Sequence, residues 1–357
     1  MKIAIINDTH AGARGDNPHI NDYFFRFWDN VFFPALQQHR IDRIVHLGDV
    51  VDRRKFINFA IWHKWQHDFF DKLTDMNMPI DMLTGNHDVY YRNTNKVNAL
   101  DELLGRYPNI RIFQEAEDME YDGLLVALVP WINSGNKDHT FEYLKATKAQ
   151  VVFGHLEIAG FEMDKGNVCL EGYARDIFDR FDLVLSGHFH HKSSDGTIHY
   201  LGNQYEITWA DHNDPRGFHI FDTDTRSLTF IENPYKLFYK LSYDDGFQNF
   251  EFWKTQDFSK FTNAYVKVVV GRKQNPYLFD TVMDMLYKAT PLDVTIVEDY
   301  TENKLDAQHG VNQAEDTITI IRKCVDSLTI PPGVEADKLK TMLQDLYNEA
   351  LNEMAMQ

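Results

Sequence analysis

The chain has little cysteine and no long hydrophobic run. Its two cysteines, Cys169 and Cys324, exclude a disulfide framework and favour a reducing cytoplasm. No apolar run approaches the roughly 20 residues that span a bilayer. The N-terminal segment MKIAIINDTH turns polar after six residues, which predicts a strand and not a signal peptide. We therefore expect no association with a membrane.

Positive charge is also scarce, because 36 Lys and Arg stand against 54 Asp and Glu, a formal net charge of −18. This balance argues against a general nucleic-acid binder, since phosphate backbones are bound mainly through Lys and Arg. Any contact with DNA must then depend on metal ions, local basic patches or a basic partner. The composition, 43% hydrophobic and 14% aromatic, is that of a folded protein. At 357 residues, the chain exceeds one typical core, so we expect two or three domains.

Five short polar segments stand out, and each directly follows an apolar run typical of a strand. They are Asp8-Thr9-His10, Gly48-Asp49, Gly85-Asn86-His87-Asp88, Gly154-His155 and Gly187-His188-Phe189-His190. Between the first three lie patterns typical of amphipathic helices, one from Asn21 and one over residues 56–76. The side chains on their apolar faces are Phe24, Phe27, Trp28 and Val31, and then Phe59, Trp62, Phe69 and Leu73. Alternating strands and helices indicate an α/β layer fold, in which ligands lie beyond the carboxyl ends of strands.

The middle of the chain is dense in predicted strands, which a second sheet packed on the first would explain. These strands are expected over 124–129, 150–153, 183–185, 199–201 and 218–221. We therefore predict a two-sheet α-β-β-α sandwich over residues 1–235 and a small α/β domain over 236–300. A polar linker is expected over 301–313. Residues 314–357 are predicted to form two helices, and the apolar stripe of the last one packs either on its own chain or, as we favour, in a groove of another protein.

The chemistry of the five segments is that of a metal site. Carboxylate, imidazole and amide groups without thiolate suit Mn²⁺, Fe²⁺ or Zn²⁺. Two such ions about 3.5–4 Å apart can clamp an in-line displacement at phosphorus and ionise the attacking water. A pair of ions needs a bridging ligand, for which Asp49 is the natural candidate. Each segment alone has an ordinary explanation, such as an Asx turn or unrelated surface imidazoles, but all five in this order predict one metal centre.

The pattern D-x-H…GD…GNHD…GH…GHxH resembles the signature of calcineurin-like metallophosphoesterases over roughly residues 1–235. The layout, with GDVVDRRK at 48–55 and NDPRGFHIFDTDT at 213–225, is similar to SbcD-type nucleases of DNA double-strand-break repair, in particular the recombination endonuclease subunits of T-even-like phages. The resemblance implies a Mn²⁺-dependent nuclease, with Mg²⁺ as the alternative in the cell. It implies 3′-to-5′ exonuclease activity on double strands and endonuclease activity on single strands.

The same resemblance implies partners and a location. An SbcC-type coiled-coil ABC ATPase would bind residues 314–357, and residues 236–300 would be a capping domain that shapes which DNA enters. A homodimer is expected, to which the aromatic helix faces near 24–32 and 56–69 contribute unless they are core. The protein would act in the cytoplasm, which is the host cytoplasm if the gene belongs to a phage.

Carried over residue by residue, the resemblance implies two sets of metal ligands that share one carboxylate. One Mn²⁺ is held by Asp8, His10, Asp49 and His190, and the other by Asp49, Asn86, His155 and His188. His87 then faces the scissile phosphate and stabilises or protonates the leaving oxygen. Asp88 would orient His87, as a carboxylate commonly fixes an imidazole tautomer.

One position departs from the family pattern. Many cellular members have a histidine three residues after the bridging aspartate, where this chain has Asp52. Asp52 is either a hydrogen-bond acceptor behind the metal ligands or a cap of the following helix. The departure puts in doubt any mechanism that needs a second histidine beside His87.

Several other polar and aromatic residues have two explanations each. Arg53, Arg54 and Arg92 follow two of the metal loops, and they either contact DNA phosphates or belong to solvated loops. Tyr205 and Trp209 either stack on a base or, as we favour, pack in the core. His46 lies inside an apolar strand and is expected to be a core histidine.

Two rival functions remain. The first is a phosphoprotein phosphatase or a cyclic-nucleotide phosphodiesterase on the same scaffold, but small substrates need neither the extra α/β domain nor the C-terminal helices. The second is a non-catalytic scaffold that keeps the fold to bind partners. Such relatives usually lose metal ligands, whereas every expected ligand is present in this sequence.

Overall fold

The structure, a computed structural model, describes residues 1–164, 166–298, 325, 338–340 and 342–343. Contacts along the chain group Met1–Val297 into one compact unit and Glu298–Gln357 into a second. In the second unit, the described residues from 325 onward are all helical. The predicted linker over 301–313, and most of the helical segment predicted over 314–357, lie outside the described residues.

Strands and helices alternate along the first part of the chain, as the sequence predicts. The strands of the described residues are β1 (Lys2–Ile6), β2 (Arg43–His46), β3 (Ile80–Leu83), β4 (Ile110–Phe113), β5 (Glu117–Tyr121), β6 (Leu124–Val129), β7 (Val151–His155), β8 (Glu162–Asp164), β9 (Asn167–Val168), β10 (Leu183–Gly187), β11 (Ser193–Ser194), β12 (Ile198–Tyr200), β13 (Gly217–Asp222), β14 (Ser227–Glu232), β15 (Phe238–Asp244), β16 (Tyr265–Arg272) and β17 (Asp293–Glu298). The α-helices of the same residues are α1 (Ala13–Asp16), α2 (Pro18–Phe27), α3 (Phe33–Gln38), α4 (Phe59–Trp65), α5 (Lys72–Asp75), α6 (Ala99–Leu104), α7 (Lys137–Ala146), α8 (Phe250–Lys254) and α9 (Pro276–Lys288).

Two six-stranded sheets carry the five polar segments. The first sheet has the spatial order β14-β13-β1-β2-β3-β4, with β1 to β4 parallel and β13 antiparallel to β1. The second has the order β11-β12-β10-β7-β6-β5, with β6, β7, β10 and β12 parallel. Parallel neighbours end at the same edge of a sheet. The segments after β1, β2 and β3 are therefore neighbours, and so are those after β7 and β10.

The alternation of side chains along β1 shows how the layers stack. Ile3 and Ile5 lie in a core shared by the two sheets. Ala4 and Ile6 lie in the core on the other face of the first sheet, under the helices. The outer face of the second sheet has its own core, to which α7 contributes Leu144. The order helix, sheet, sheet, helix confirms the predicted α-β-β-α sandwich.

Two long helical segments cover the outer face of the first sheet. Each contains a π-helical stretch, Trp28–Phe32 between α2 and α3, and Gln66–Asp71 between α4 and α5. Their aromatic rings interlock, and the ring centroid of Trp28 lies 4.8 Å from that of Phe69 and 6.0 Å from that of Trp65. Each such ring removes about 150–250 Å² from water, so this layer makes a large contribution to stability.

The first helical segment begins earlier than the sequence suggested, at Pro18 and not at Asn21. Asn17 explains the difference, because its side chain accepts hydrogen bonds from the amides of His19 and Ile20. Proline is also well suited to the first helical position, since its fixed φ is helical and it has no N–H to satisfy.

The second helical segment begins at Phe59 and is capped by the side chain of Asn58. Phe59 is 87% exposed, whereas Ile61 and Trp62 are buried. The prediction that Phe59 shares the apolar face of this helix was therefore wrong. As the first residue of α4, it precedes the part of the helix that reaches the aromatic layer. The other side chains predicted for the two apolar faces belong to this layer or pack against it.

Residues 238–298 form a third sheet of three strands, in the order β15-β16-β17. The helix α9 packs Leu278, Val282 and Leu286 into the core of this sheet. The sheet belongs to the same compact unit as the first two, and its first strand is tied to them because the carboxylate of Glu206 accepts the amide of Phe238 at 2.9 Å. The division of the chain into functional domains stays a prediction.

Two expectations from composition concern single features. Cys169 is a buried free thiol, and Cys324 lies outside the described residues. In the part of the chain that the structure describes, no helix combines the length and apolar character that a membrane crossing requires.

The substitution Leu73→Ala should lower the free energy of unfolding by about 2–5 kcal/mol, because it leaves a cavity under the helical layer. Leu73 is fully buried there. The matched control is Leu170→Ala, at a side chain 84% exposed, which should change the free energy by less than about 0.5 kcal/mol. Urea unfolding monitored by tryptophan fluorescence measures both, and equal effects would contradict the layer arrangement.

Candidate metal centre

The five polar segments meet at the carboxyl ends of β1, β2, β3, β7 and β10. They surround a cavity of about 390 Å³. The residues that line it are His10, Arg14, Gly15, Asp49, Asp52, Asn86, His87, His188, His190, Ile207 and Thr208. Asp8 and His155 lie fully buried behind this lining. Every side chain that the sequence proposed as a metal ligand is thus brought to one place.

The ligand atoms form groups within 4.8 Å of one another. These groups are Asp8, His10 and His190; then His10, Asp49 and His87; and then Asp49, His155 and His188. In the first group, Nε2 of His10 lies 3.0 Å from Nε2 of His190. Asn86 adds an amide oxygen to the last group, 3.0 Å from Nε2 of His155. The first and last groups match the two ligand sets expected from the family resemblance.

Asp49 lies between these two sets. Its Oδ2 is 3.4 Å from Nε2 of His155 and 4.0 Å from Nε2 of His10. Its other oxygen is already used, because Oδ1 accepts the backbone amide of His87 at 2.7 Å. One carboxylate oxygen of Asp49 is therefore available to both sets.

The contacts of His155 test whether these residues suit a cation. Its Nδ1 donates to the carbonyl of Leu47 at 2.8 Å, which leaves Nε2 directed at two further oxygens, Oδ1 of Asn86 and Oδ2 of Asp49. A neutral imidazole would oppose its lone pair to those oxygens. A positive charge between them, either a proton or a metal ion, removes this conflict. The donor set of nitrogen and oxygen atoms fits a transition-metal ion such as Mn²⁺.

The backbone at the ligands is held in the left-handed region. The values of φ are 49° at Asp8, 45° at His10, 58° at Asp49 and 81° at His188. Residues other than glycine rarely adopt this conformation, and each costs of order 1–3 kcal/mol. Such strain persists only where the surroundings impose it, which is typical of functional sites.

Gly85 is required by close approach between two of the loops. A Cβ atom at this position would lie 2.3 Å from the backbone nitrogen of Asp49. Any other residue would therefore push the loop after β3 away from the loop after β2. The glycine of the Gly-Asn-His-Asp segment thus allows Asn86 and Asp49 to face the same cavity.

Burial and neighbouring charges shift the pKa values of the ligands. Burial raises the pKa of Asp8, and it lowers the pKa of His188 to about 3. Burial also disfavours charge on His155, but the carboxylate of Asp49 outweighs it and raises the pKa of His155 to about 9. The pKa of Asp49 is held well below its usual value, since the surrounding imidazoles, His155 first, outweigh the effect of burial. The cavity therefore favours one buried anion surrounded by positive charge.

His87 is held by the loop after β2. Its Nδ1 donates to the backbone carbonyl of Asp52, and its ring lies 4.9 Å from the ring of His10. Burial alone would lower the pKa of His87, but Asp49 and the carbonyl of Asp52 outweigh it and raise this pKa. Since Nδ1 is engaged, Nε2 is the nitrogen that can hold a proton toward a substrate.

The side chain of Asp52 does not cap a helix, because Asn58 caps α4. Its Oδ1 lies 3.5 Å from Nδ1 of His10, a buried nitrogen that has no hydrogen-bond partner of its own. Of the two explanations that the sequence left open, the structure therefore favours a carboxylate behind the metal ligands. Asp52 touches His10 with its side chain and His87 with its backbone.

Asp88 has a different role from the one expected. Its Oδ2 accepts the amides of Asp49 and Gly85, both at 2.8 Å, and its Oδ1 accepts those of Val50 at 2.8 Å and Val51 at 3.1 Å. The partner that fixes the imidazole of His87 is the carbonyl of Asp52. The expected contact from Asp88 to His87 is thus replaced by a clamp on the two metal loops.

The arginines near the metal loops differ in their surroundings. Arg53 forms an ion pair with Asp16, so it is engaged within the protein. Arg54 is partly buried, and burial and the charge of Arg92 lower its pKa. Arg92 itself is exposed. A DNA contact by Arg54 or Arg92 stays a prediction.

The predicted core residues are confirmed. His46 is buried, and its Nε2 lies 3.0 Å from the hydroxyl of Thr9. Tyr205 is buried, and its ring stacks on Phe24 at 3.6 Å. Trp209 is partly buried and packs 4.8 Å from Phe238, in contact with the third sheet.

Two further residues contact the centre without a clear signal in the sequence. Asn7 donates to Oδ2 of Asp8 and, at 3.0 Å, to the carbonyl of Gly202. The ring of Trp131 lies 5.1 Å from that of His188. Asn7 directly precedes the first ligand segment, so its position along the chain was the only hint. For Trp131, which follows β6, only the fold shows the contact.

Comparisons relate this chain to known proteins. Residues 1–192 match the family model described as calcineurin-like phosphoesterase. The chain is 30% identical over 337 residues to exonuclease subunit 1 of Enterobacteria phage T4, which covers 92% of this chain and 95% of that protein. It is 22% identical over 204 residues to the D component of nuclease SbcCD from Staphylococcus saprophyticus, which covers 55% of this chain and 49% of that protein. A solved archaeal phosphodiesterase covers 65% of this chain at 15% identity, with a TM-score of 0.32.

The substitution Asp88→Asn should weaken Mn²⁺ binding by about 10- to 100-fold, because an amide cannot accept from all four backbone amides of the loops. Isothermal titration calorimetry of the full chain measures this. The matched control is Asp81→Asn, at another buried carboxylate, which bonds Arg43 and Tyr121 away from the metal loops. The control should lower stability but keep the affinity for Mn²⁺, and equal losses of affinity in the two variants would contradict the clamp.

Proposed function

This chain belongs to the calcineurin-like phosphoesterase family, and we propose that it is the Mn²⁺-dependent DNA nuclease subunit of an SbcCD-type recombination and repair complex. Membership makes the chain a metal-dependent phosphoesterase. The two nuclease relatives support DNA as the substrate. The proposal includes 3′-to-5′ exonuclease activity on double strands and endonuclease activity on single strands.

One observation carries the proposal, namely that two ligand sets converge on a shared carboxylate oxygen of Asp49. The first ion would be held by Asp8, His10, Asp49 and His190, and the second by Asp49, Asn86, His155 and His188. When bound, the pair supplies a Lewis acid for the phosphate and an activated water. The strained loops hold these side chains in place before any substrate arrives.

His87 supplies the proton for the leaving oxygen. Its Nδ1 is bonded to the carbonyl of Asp52, and its amide is bonded to Oδ1 of Asp49, so the ring is fixed beside the ligands. The raised pKa keeps a proton on the ring near neutral pH. A positioned acid of this kind contributes about 10²- to 10⁴-fold to the rate.

The acidic charge of the chain bears on how DNA is held. With a formal net charge of −18, the protein alone should bind a phosphate backbone weakly. Arg54 and Arg92 offer local positive charge on loops that follow the metal loops. We expect the ATPase partner to supply most of the affinity for DNA.

The rival functions are less well supported. A phosphatase for small substrates has no need of the third sheet, which is tied to the nuclease-like sheets through Glu206. A non-catalytic scaffold would not need the complete and strained ligand set that this chain retains. The two sequence relatives described above are both named as nucleases.

The proposed assembly follows the predicted division of the chain. Residues 1–235 perform the chemistry, 236–300 cap the cleft, 301–313 link, and 314–357 bind the SbcC-type ATPase. A homodimer is supported by Phe56 and Phe59, whose large apolar side chains are exposed side by side along the chain. By contrast, the aromatic face near 24–32 is core. We expect this assembly to act in the cytoplasm.

The substitutions Asp49→Asn and His87→Ser should both abolish cleavage of linear duplex DNA, but only Asp49→Asn should strongly weaken Mn²⁺ binding. Asp49 contacts both ligand sets, whereas His87 acts on the leaving oxygen. Nuclease assays and calorimetry of the same preparations measure both effects. The exposed His139 of α7 provides the control variant His139→Ser, which should match the wild type in both assays.

Two outcomes would contradict the proposed function. Cleavage at the normal rate by His87→Ser would remove its role as an acid. Turnover of a phosphomonoester by the Mn²⁺-loaded wild type, without cleavage of DNA, would favour the phosphatase.

Two changes should separate the proposed interfaces. Removal of residues 314–357 should abolish co-purification with the coiled-coil ATPase and keep the homodimer. The double substitution Phe56→Ser with Phe59→Ser should do the reverse, because it makes only the exposed aromatic surface polar. Affinity co-purification and sedimentation velocity measure the two associations, and an ATPase complex that survives the truncation would contradict the docking segment.

A further inference from the structure

Arg216 lies buried beside the metal ligand His190 and is 4% exposed. Its Nη1 donates to the backbone carbonyl of His190 and to Oδ1 of Asn203. Its Nη2 donates to Oδ1 of Asp211 at 2.7 Å and to Oδ2 of Asp214 at 2.8 Å. A planar guanidinium that bonds oxygens on both sides is fixed in position and orientation.

The two carboxylates that hold Arg216 are themselves bonded to the walls of the metal cavity. The second oxygen of Asp211 accepts the amides of residues 207 and 208, both at 2.7 Å, and these residues line the cavity. Oδ2 of Asp214 also bonds Nδ1 of His191 at 2.8 Å. Arg216 therefore holds the chain at 190–191 at two points, once through a carbonyl and once through a carboxylate.

The position of this backbone decides where the imidazole of His190 lies. Its Nε2 is 3.0 Å from Nε2 of His10, in the group that includes Asp8. The other ligand group is fixed by separate contacts, such as the bond from His155 to the carbonyl of Leu47. A change at Arg216 thus reaches one group directly and not the other.

We propose that Arg216 is a positioning residue that sets the metal affinity of the group formed by Asp8, His10 and His190. The affinity of the group that contains His155 and His188 does not depend on it. The two metal positions are therefore supported by different parts of the fold and can be weakened separately. This inference rests on the proposed two-metal function.

A purely structural role for Arg216 has different consequences. Arg216 directly precedes β13, so its loss could simply loosen that strand. The protein would then lose stability, and both metal positions would be affected alike or not at all. Selective loss of one position distinguishes positioning from support of the strand.

The test is Mn²⁺ binding to the full chain, with bound ions counted by electron paramagnetic resonance and affinities measured by calorimetry. The wild type should bind two ions. Arg216→Gln should bind one ion with wild-type affinity and the second about 10- to 100-fold more weakly. Arg216→Lys should show a smaller loss at the same position, because an ammonium reaches fewer of the oxygens.

The control is Arg180→Gln, at an arginine that also donates to two acceptors, the carbonyls of Leu144 and Thr147 at the end of α7. It should leave both affinities unchanged. Circular dichroism confirms that each variant is folded, and Arg216→Lys carries the test if Arg216→Gln does not fold.

The outcomes separate the two proposals. Two ions in the wild type, with unchanged or equally weakened binding of both ions in a folded Arg216 variant, would overturn the role of Arg216 alone. A single ion bound by the wild type would overturn the two-metal function and this inference with it.

Discussion

The centre of this protein concentrates carboxylates and imidazoles where water is largely excluded. Asp8, Asp49 and His155 are buried, and the nitrogen and oxygen atoms of the centre converge within 4.8 Å in each group. Buried charges and opposed lone pairs are costly unless an opposite charge compensates them. A metal ion is the natural compensation, and the raised pKa of His155 shows that without one the site binds a proton instead. The rest of the fold can be understood as the means of holding this arrangement.

Much of that support comes from backbone groups. Four ligand residues have a positive φ, and the loops that contain them are held by the four amide bonds to Asp88. His155 and His87 are each oriented by a main-chain carbonyl. Side chains that are preorganised in this way lose little further freedom when a substrate binds, which is the usual route to strong electrostatic catalysis. Arg216 extends the same principle to His190 from the far side of the cavity.

The two-sheet sandwich explains why the ligands come from distant parts of the chain. Three segments end strands of the first sheet, and two end strands of the second. The shared core between the sheets, built from side chains such as Ile3 and Ile5, sets the distance between these strand ends. The aromatic layer outside the first sheet keeps that sheet rigid, so stability and ligand geometry depend on the same packing.

The amino-acid sequence alone determined the α/β class, the two-sheet sandwich, the ligand segments and the core position of His46 and Tyr205. These follow from local patterns, because strands, turns and ligand types are encoded by neighbouring residues. The partners of Asp88 and Asp52, the exposure of Phe59 and the burial of Arg216 were decided only by the tertiary structure. Each depends on which loop or layer lies opposite, and residues far apart in the chain supply that surface. The five segments were therefore recognisable as a metal centre from sequence, but only the fold showed what holds each ligand in place.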